Sequence, residues 1–494
     1  MALQLIERLY EHAAARPDAV ALREVSAANC AGRVMSYRIL LSAVERLATV
    51  LHRDLPERAV VIVALPNELE YFVAFYAVLL AGRTVFPVHP LLAKTELQTA
   101  AKRSQAVAFV AAERSRGAFE KIGLRNIDVV LQDNEPQREH TLERHASDSA
   151  CLLLQSSGTT GRPKIVQRSG RSLDAVAGNV ATSVALVPDD RVLGLVPACH
   201  SYGVENVALG PLWAGCEVHL CHNLDTTVVL RRLTHAGVTV FPGVPAMFDL
   251  LAQLGHAGER LTTLRSAYSA GAMLPAAVLE AFERVFGVRI GQLFGMTEIG
   301  SVTFNDPGDE SHDPSSVGLP MTGVRVRIVD PDTRNLSEPL VPNREGEVAV
   351  SAPSMLTGYL DDDGVCQAPS EMCDGFFLTG DLGRLDDRGR LTITGRLKLV
   401  IDVGGHKVNL LEVESVLQAH PAVAACVVVP VPVSKTVSRL KAVVELESGG
   451  PAPTSDELRS AIRAKLSAHK VPRMIEFRDK LPRSPTGKIL RRIN

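Results

Sequence analysis

Hydrophobic and polar positions in the larger, N-terminal part of the chain follow two alternating patterns. Short runs of β-branched and other apolar residues, typical of buried strands, occur at 59–65, 191–197 and 238–242. Segments whose apolar residues recur with a helical period lie between them, as at 68–80 and 275–286. Alternation on this scale is typical of layered α/β domains. We therefore predict an α/β fold with a large, multi-layer N-terminal domain whose sheets are largely parallel.

A different pattern follows the polar segment 305–316, which contains proline and aspartate. Short strand-like segments at 324–329 and 346–351 are separated by turns rich in Pro, Gly and Asp. Short strands with turn signals between them favour antiparallel pairing. The pattern predicts a smaller, mainly antiparallel β-subdomain at about 315–396.

The last hundred residues have the pattern of a separate, small α+β domain. Two helical stripes are formed by Leu410, Val413, Val416 and Leu417, and by Leu458, Ile462 and Leu466. Segments 422–429 and 439–446 are strand-like, and Thr454 with Glu457 has the spacing of a helix-capping box. We predict two helices packed on a small sheet, with no Gly/Ser-rich linker before them.

Composition and charge narrow the class of protein. A chain of 494 residues with 46% hydrophobic content is too long for one ordinary domain and can bury more than one core. The formal net charge of −2 gives no indication of a nucleic-acid or anionic-membrane partner. Charged residues interrupt the apolar N-terminus, unlike a signal peptide, and the longest apolar run, 72–81, is far shorter than the roughly 20 residues needed to span a bilayer.

The cysteines point to a reducing compartment. There are eight, with no Cys-x-x-Cys pair among them, and most lie in apolar stretches. This pattern favours reduced, structural thiols over disulfides or a zinc site. We expect a soluble cytoplasmic protein.

Residues 155–164 form a dense segment of hydroxyl, glycine and lysine residues directly after the apolar run 150–154. Glycines allow the backbone to approach an anion closely, hydroxyls and amides donate hydrogen bonds, and Lys164 adds a positive charge. The spacing differs from a Walker A loop, because Gly158 and Gly161 are only three residues apart and the lysine is detached from them. From these residues alone, a phosphate-binding loop and an ordinary polar loop remain equal alternatives.

Four further motifs follow in order along the chain. They are Leu293-Phe294-Gly295-Met296-Thr297-Glu298, then Thr379-Gly380-Asp381, then Gly395-Arg396-Leu397-Lys398, and finally Leu481-Pro482-Arg483-Ser484-Pro485-Thr486-Gly487-Lys488-Ile489-Leu490-Arg491. Together with 155–164 they resemble the motifs of the AMP-forming adenylate-forming superfamily of acyl-CoA synthetases, adenylation domains and luciferases. The resemblance covers nearly the whole chain. It implies an N-terminal domain, 1–396, that binds ATP and an acid, and a mobile C-terminal domain, 397–494, that turns about a hinge near Lys398.

The resemblance also implies a nucleotide site for ATP with Mg²⁺. The residues that correspond to it are Ser156, Ser157, Gly158, Thr159, Thr160, Gly161, Lys164, Gly271, Ala272, Phe294, Gly295, Asp381 and Arg396. In this interpretation Glu298 holds Mg²⁺, since a hard cation prefers carboxylate oxygens. Thr297 bonds the α-phosphate, Phe294 stacks on adenine, and Asp381 accepts from the ribose hydroxyls. The alternative for Glu298 is a simple turn at a strand end, with Phe294 in the core.

Lys488 is the candidate for the central catalytic charge. A carboxylate and ATP repel each other, so adenylation requires a cation that neutralises the α-phosphate as the carboxylate attacks. The superfamily assigns this role to the lysine that Lys488 matches. The alternative is a solvated basic tail, because Lys480, Arg483 and Arg491 lie nearby.

The segment 197–203, Pro-Ala-Cys-His-Ser-Tyr-Gly, resembles the part of acyl- and aryl-CoA synthetases in which a histidine borders the acid. His200 is therefore a candidate catalytic residue, although a hydrogen-bonded structural histidine is an alternative. The predicted acyl pocket consists of Cys199, His200, Val204, Phe241, Val244, Ala270, Gly295 and Met296. Amino-acid-activating relatives usually carry Phe-Asp where this chain has Cys199 and His200. We therefore predict an aryl or medium-sized apolar acid and not an α-amino acid.

The acceptor of the acyl group is expected to be the thiol of coenzyme A. In the superfamily a face of the C-terminal domain that corresponds to Gly404 and Gly405 lines the path of this thiol, and glycine suits a close backbone approach. A carrier-protein phosphopantetheine or an amine are alternative acceptors, because enzymes that use them share every ATP motif. A catalytically silent AMP-binding module is a further alternative, disfavoured by the presence of Lys488, Glu298 and Asp381.

Overall fold

The computed structural model describes the chain except for a set of short segments. These are residues 1–2, 26–31, 132–147, 157–162, 223, 256–259, 311, 404–405, 433–437, 448–450, 467, 484–488 and 492–494. The described chain forms two compact units, of which the first comprises 1–325 and 350–376 and the second 326–349 and 377–494. The predicted domain boundary at 396 falls inside the second unit, and it remains a prediction.

The first unit contains a nine-stranded sheet. Its strands, in spatial order, are Leu319–Pro320, Gly300–Asn305, Ile290–Met296, Ser266–Ser269, Val240–Gly243, Arg191–Gly194, Glu217–Leu220, Val20–Glu24 and Val34–Ser36. The six strands from Ile290–Met296 to Val20–Glu24 are parallel, and the outer ones pair antiparallel. This confirms a largely parallel sheet.

A second sheet of the first unit has eight strands. In spatial order they are Cys366–Gln367, Gly358–Leu360, Lys164–Ser169, Ala150–Ser156, Thr84–Pro87, Val60–Ala64, Ala108–Ala111 and Arg125–Asn126. The strands from Ala150–Ser156 to Arg125–Asn126 are parallel, and Lys164–Ser169 pairs antiparallel on both of its sides. A further short strand is Met372–Cys373.

Helices cover these sheets and provide the cores. They are Gln4–Ala15, Tyr37–Asp54, Leu69–Leu80, Lys94–Arg103, Glu113–Glu120, Gly170–Ser183, Ser201–Gly203, the π-helical turn Val204–Leu209, Gly210–Ala214, Thr226–His235, Pro245–Leu254 and Ala276–Phe286. Leu69–Leu80 is apolar on all sides and almost wholly buried, as a helix without a polar face must be. Phe248, Phe282 and Phe286 pack ring against ring in the core around three of the helices. No helix in the described part of the chain is both long and apolar enough to cross a membrane.

The second unit has its own sheets and core. Its strands are Arg325–Val329, Gly346–Ser351, Phe376–Leu385 and Leu391–Arg396, the two-stranded pair Val400–Val403 and His406–Asn409, and the three-stranded sheet of Val423–Pro432, Ser438–Leu446 and Met474–Arg478. Its helices are Leu410–Gln418 and Ser455–Arg463, with 3-10 turns at Leu397–Leu399 and Ala468–Lys470. Both helices bury their predicted stripes against the three-stranded sheet. The predicted capping box is confirmed, since Glu457 N donates to Thr454 Oγ1 at 3.2 Å and Thr454 N donates to Glu457 Oε2 at 2.7 Å.

Candidate functional site

The predicted phosphate-binding segment joins two strands of the eight-stranded sheet. Ser156, the last residue of one strand, pairs with Lys164, the first residue of the next. Ser157, Gly158, Thr159, Thr160 and Gly161 lie outside the described residues, so their role remains a prediction. On its other side, strand Lys164–Ser169 pairs with Gly358–Leu360. This pairing brings a distant part of the chain beside Lys164.

Two side chains from that distant part surround the ammonium group of Lys164. The Nζ atom lies 3.1 Å from Glu371 Oε1 and 4.0 Å from the centroid of the Tyr359 ring. A cation at this distance from an aromatic face is stabilised by the ring quadrupole. Burial raises the pKa of Glu371, but the hydrogen bond from Lys164 and its charge outweigh burial and lower it. Glu371 therefore stays ionised as a counter-ion for the lysine.

Tyr359 also connects this lysine to the predicted metal ligand. Its hydroxyl donates to Glu298 Oε1 at 3.2 Å, while Leu356 N donates to the Glu298 carbonyl at 2.7 Å. Burial, with the neighbouring charge of Glu298, raises the pKa of Tyr359 above its usual value, so the hydroxyl keeps its proton and remains a donor. Tyr359 thus contacts both residues: its ring lies against Lys164, and its hydroxyl bonds Glu298.

Glu298 and Thr297 lie in the tight turn between strands Ile290–Met296 and Gly300–Asn305. Gly300 has φ +92°, and a Cβ there would lie 2.9 Å from Arg168 Nη2. A side chain at this position is therefore excluded by both the backbone conformation and the available space. The turn holds the Glu298 carboxylate at the end of a strand rather than in the core, and Phe294, predicted to stack on adenine, is only partly buried nearby.

Buried polar side chains hold the segment that carries His200 in place. Asn67 Nδ2 donates to Gly194 O and Val196 O, each at 2.9 Å, and Asn67 Oδ1 accepts from Ala198 N at the same distance. The Tyr71 hydroxyl donates to Ala198 O. The main chain before His200 is therefore fixed at Gly194, Val196 and Ala198, and this suits a residue that must present its ring to a ligand.

The ring of His200 is neutral and incompletely hydrogen bonded. Burial, with the nearby His89 ring, lowers the pKa of His200 to about 4. The centroids of the two imidazole rings are 5.9 Å apart, and the rings are stacked. The Nε2 atom of His200 is buried without a hydrogen-bond partner in the described part of the chain. A neutral imidazole with an unsatisfied buried nitrogen can bond a ligand atom at that place.

The other predicted acyl-pocket residues have different surroundings. Val204 is buried at the start of the π-helical turn, and its N–H donates to His200 O at 2.8 Å. Val244 lies near Gly271 of the predicted nucleotide site. Gly271 is exposed with φ +82°, and a Cβ there would lie 4.0 Å from Val244 Cγ1. Phe241 is fully buried and packs on Phe248 with ring centroids 4.9 Å apart. Phe241 therefore has a core partner, while its place in the pocket remains a prediction.

A buried hydroxyl lies between the predicted acyl and adenine segments. Ser269 is 2% exposed, and its Oγ atom has no hydrogen-bond partner among the described residues. It precedes Ala270, which is buried, and Gly271 and Ala272, which are exposed. Gly295 and Met296 are also exposed or half-buried. The segment therefore presents small, accessible residues, as close approach by a ligand requires.

Within the second unit, the structure brings Asp381 and Arg396 together. They are paired across antiparallel strands, and Arg396 Nε lies 2.6 Å from Asp381 Oδ1. Asp381 is 2% exposed, and its N–H donates to Thr379 Oγ1 at 3.0 Å. Gly380, between Thr379 and Asp381, has φ +70°. The carboxylate that we predict to bind ribose is thus oriented by a guanidinium.

Besides the phosphate-binding segment, three further groups of predicted residues cannot be placed. Gly404, Gly405 and Lys488 lie outside the described residues, as does the side chain of Lys398 in the turn Leu397–Leu399. Sequence reasoning missed Tyr359, Glu371 and His89. None of them lies in a recognisable motif. They lie beside predicted residues only because of strand pairing or ring contacts in the folded chain.

Comparisons with known proteins give relatives over nearly the whole chain. The family model described as AMP-binding enzyme matches residues 9–360, and that of the AMP-binding enzyme C-terminal domain matches 412–488. A feruloyl-CoA synthase from Amycolatopsis sp is 31% identical over 440 residues, 86% of this chain and 86% of its own. A long-chain-fatty-acid–CoA ligase from Bacillus subtilis (strain 168) is 28% identical over 509 residues, 93% of this chain and 90% of its own. The crystal structure of ATP-bound MatB from Rhodopseudomonas palustris matches with a TM-score of 0.88 at 26% identity, covering 99% of this chain and 97% of that one.

Proposed function

Because the chain belongs to the AMP-binding enzyme family, a family of AMP-forming ligases, we propose that it activates a carboxylic acid with ATP and passes the acyl group to coenzyme A. In the first half-reaction the carboxylate attacks the α-phosphate, which forms acyl-AMP and releases pyrophosphate. In the second, the thiol attacks the acyl carbon, AMP leaves, and the thiol proton passes to solvent. The proposed substrate is an aryl or medium-sized apolar acid.

The contact series Lys164, Tyr359 and Glu298 is the observation that carries this proposal. It combines an ammonium group for phosphate charge with a carboxylate at the end of a strand. The oxygen chemistry of Glu298 fits Mg²⁺, which when bound would neutralise phosphate charge and favour departure of pyrophosphate. The lysine and the carboxylate are held at fixed places by one tyrosine, so both are preorganised for a triphosphate.

His200 and Ser269 support the acid half of the proposal. Each has a buried polar atom without a hydrogen-bond partner in the described chain. Such atoms are costly unless a ligand or water satisfies them. A neutral His200 can donate one hydrogen bond to a carboxylate without forming an ion pair, so it orients the acid and leaves its nucleophilic oxygen available.

The experiment that tests the function is ATP–pyrophosphate exchange with a panel of carboxylic acids. Product identification by mass spectrometry then follows with coenzyme A, a phosphopantetheinylated carrier protein and amines supplied separately. We expect acid-dependent exchange, and a thioester with coenzyme A. A carrier thioester or an amide as the main product would instead identify the alternative acceptor, and absence of exchange with every acid would support a silent AMP-binding module.

Substitutions of Tyr359 separate its two contacts. Tyr359→Phe keeps the ring on Lys164 and removes the hydroxyl that donates to Glu298, so we expect exchange to fall about tenfold, as for one hydrogen bond to a charged group. Tyr359→Leu also removes the cation–π contact and is expected to lose roughly a further fivefold. Initial exchange rates measure both effects, with the exposed Tyr10→Phe as control. Equal rates for wild type and Tyr359→Leu would contradict a role for this contact series.

Substitutions in the C-terminal part are expected to affect the second half-reaction alone. Gly404→Leu puts a side chain where the thiol is proposed to pass, and Lys398→Pro restricts the proposed hinge. We expect transfer from preformed acyl-AMP to coenzyme A to slow at least tenfold, with exchange largely intact. Stopped-flow transfer rates provide the measurement. Gly117→Leu is a control, because a Cβ there would meet nothing within 4 Å. Loss of exchange with transfer preserved would contradict the division of work between domain orientations.

A further inference from the structure

Three metal-binding side chains converge beside the proposed acid site. His89, Cys199 and His200 each have a donor atom within 4.8 Å of the donors of the other two. We propose that these three residues bind a thiophilic divalent cation of the Zn²⁺ class. Imidazole nitrogen and thiolate sulfur are the donors that such ions prefer over the oxygen ligands of Mg²⁺.

The three donors, which lie within 4.8 Å of one another, are within reach of a tetrahedral site. Zn–S and Zn–N bonds of about 2.3 and 2.0–2.1 Å place two donors of one ion roughly 3.5 Å apart. Small side-chain rotations bring donors that start within 4.8 Å to this separation. Three protein ligands leave the fourth position of a tetrahedral ion open for water or another small ligand, as in catalytic zinc sites.

A second observation concerns an unsatisfied buried atom of one of these three residues. The Nε2 atom of His200 is buried and has no hydrogen-bond partner in the described part of the chain. The Cys199 side chain is buried at the same place, and the ion would replace its thiol proton, which passes to solvent. His89 Nδ1 accepts a hydrogen bond of 3.2 Å from Leu91 N, which an ion would displace only if it bound that nitrogen.

The main chain around the cluster is rigid enough to hold an ion. Asn67 and Tyr71 bond the backbone just before Cys199. His89 is the second residue after strand Thr84–Pro87, which lies in the interior of the eight-stranded sheet. Ligands fixed in this manner lose little conformational entropy on binding.

Binding has a consequence for activity that rests on the proposed function. His200 borders the proposed place of the acid, so an ion on its ring nitrogen would occupy that place. Zinc should then inhibit exchange in competition with the acid, even with Mg²⁺ in large excess. The binding proposal itself does not depend on any activity of the protein.

Cobalt and zinc binding to the full chain test the proposal. With Co²⁺ we expect one equivalent bound and a thiolate-to-metal charge-transfer band in the near ultraviolet. Cys199→Ala should remove the band, and His89→Asn should weaken zinc binding at least tenfold in equilibrium competition with a chromogenic chelator, since even loss of an outer partner of a metal ligand costs 10–100-fold. Thermal unfolding without metal verifies that both variants fold.

Cys221→Ala is a closely matched control. Cys221 and His222 repeat the Cys-His dipeptide, and Cys221 is buried like Cys199, but they are not part of a three-donor cluster in the described chain. The band and the affinity should persist in this variant. Wild-type affinity in folded Cys199→Ala and His89→Asn, or a band lost equally in Cys221→Ala, would overturn the proposal. Binding without inhibition would leave the metal site in place and reject the assigned acid position.

Discussion

Replacing Lys488 by alanine is expected to lower acid-dependent ATP–pyrophosphate exchange by a factor of about 10² or more. The attacking carboxylate and the triphosphate are both anionic, and the α-phosphate gains charge as the bond forms. A cation positioned at that phosphate stabilises the transition state more than the bound substrates, so its loss lowers the rate of the chemical step. Lys488 lies outside the described residues, but Arg483 and Ile489 on its two sides form an antiparallel bridge, and Leu490 N donates to Pro482 O at 2.8 Å.

The matched control for this prediction is Lys480→Ala. Lys480 is an exposed lysine in the same basic part of the sequence, so it tests whether any lost positive charge has the effect. We expect wild-type exchange in Lys480→Ala and unchanged thermal unfolding in both variants. If Lys488→Ala exchanged pyrophosphate at the wild-type rate, Lys488 would belong to a solvated tail and the catalytic charge would have to come from another residue.

Single helices, strands and helix caps could be predicted because the patterns that indicate them involve residues close together in the sequence. The apolar segment predicted as helical at 68–80 forms Leu69–Leu80, and the strand predicted at 346–351 has the same bounds in the structure. The capping box at Thr454 is confirmed because its two hydrogen bonds depend only on residues three apart. Such features require no knowledge of the rest of the chain.

Contacts that assemble the site could not be predicted, because they join residues far apart in sequence. Tyr359 contacts Lys164 because strand Gly358–Leu360 pairs with strand Lys164–Ser169. It also bonds Glu298, which lies in the turn after strand Ile290–Met296 of the nine-stranded sheet. A tyrosine in a short strand carries no signal for such a role. The motifs predict which residues take part, while strand pairing places Tyr359 against two of them.

The same limit explains why the sequence did not predict the cluster of His89, Cys199 and His200 that we propose to bind a metal. Sequence rules for metal sites depend on short spacings such as Cys-x-x-Cys, and the cysteines of this chain have none. We accordingly expected structural thiols without zinc. His89 precedes Cys199 and His200 by a long stretch of chain, and only the three-dimensional structure brings the three side chains together.

Discrimination against α-amino acids is expected to be of comparable size to the effect at Lys488. The acidic residue nearest to His200 in sequence is Glu205, which is 1% exposed and already occupied: Arg168 Nη1 donates to its Oε1 at 2.9 Å, and the hydroxyls of Ser201 and Ser301 donate at 2.7 and 2.8 Å. The charge of Glu205 is therefore already balanced by Arg168, and both of its oxygens already accept hydrogen bonds. An unpaired buried ammonium costs several kcal/mol, so apolar acids should be preferred by a factor of about 10³.

The ratio of kcat/KM values for an aryl acid and for the α-amino acid of similar shape measures this preference in the exchange assay. His200→Asp provides a sharper test, because it places a carboxylate where amino-acid-activating relatives carry one. We expect the ratio to fall at least tenfold in this variant, since the new charge pairs with an ammonium and repels a second carboxylate. His222→Asp, at an exposed histidine outside the site, should leave the ratio unchanged. A standard α-amino acid as the best wild-type substrate would mean that another carboxylate reaches the pocket and that its assigned lining is wrong.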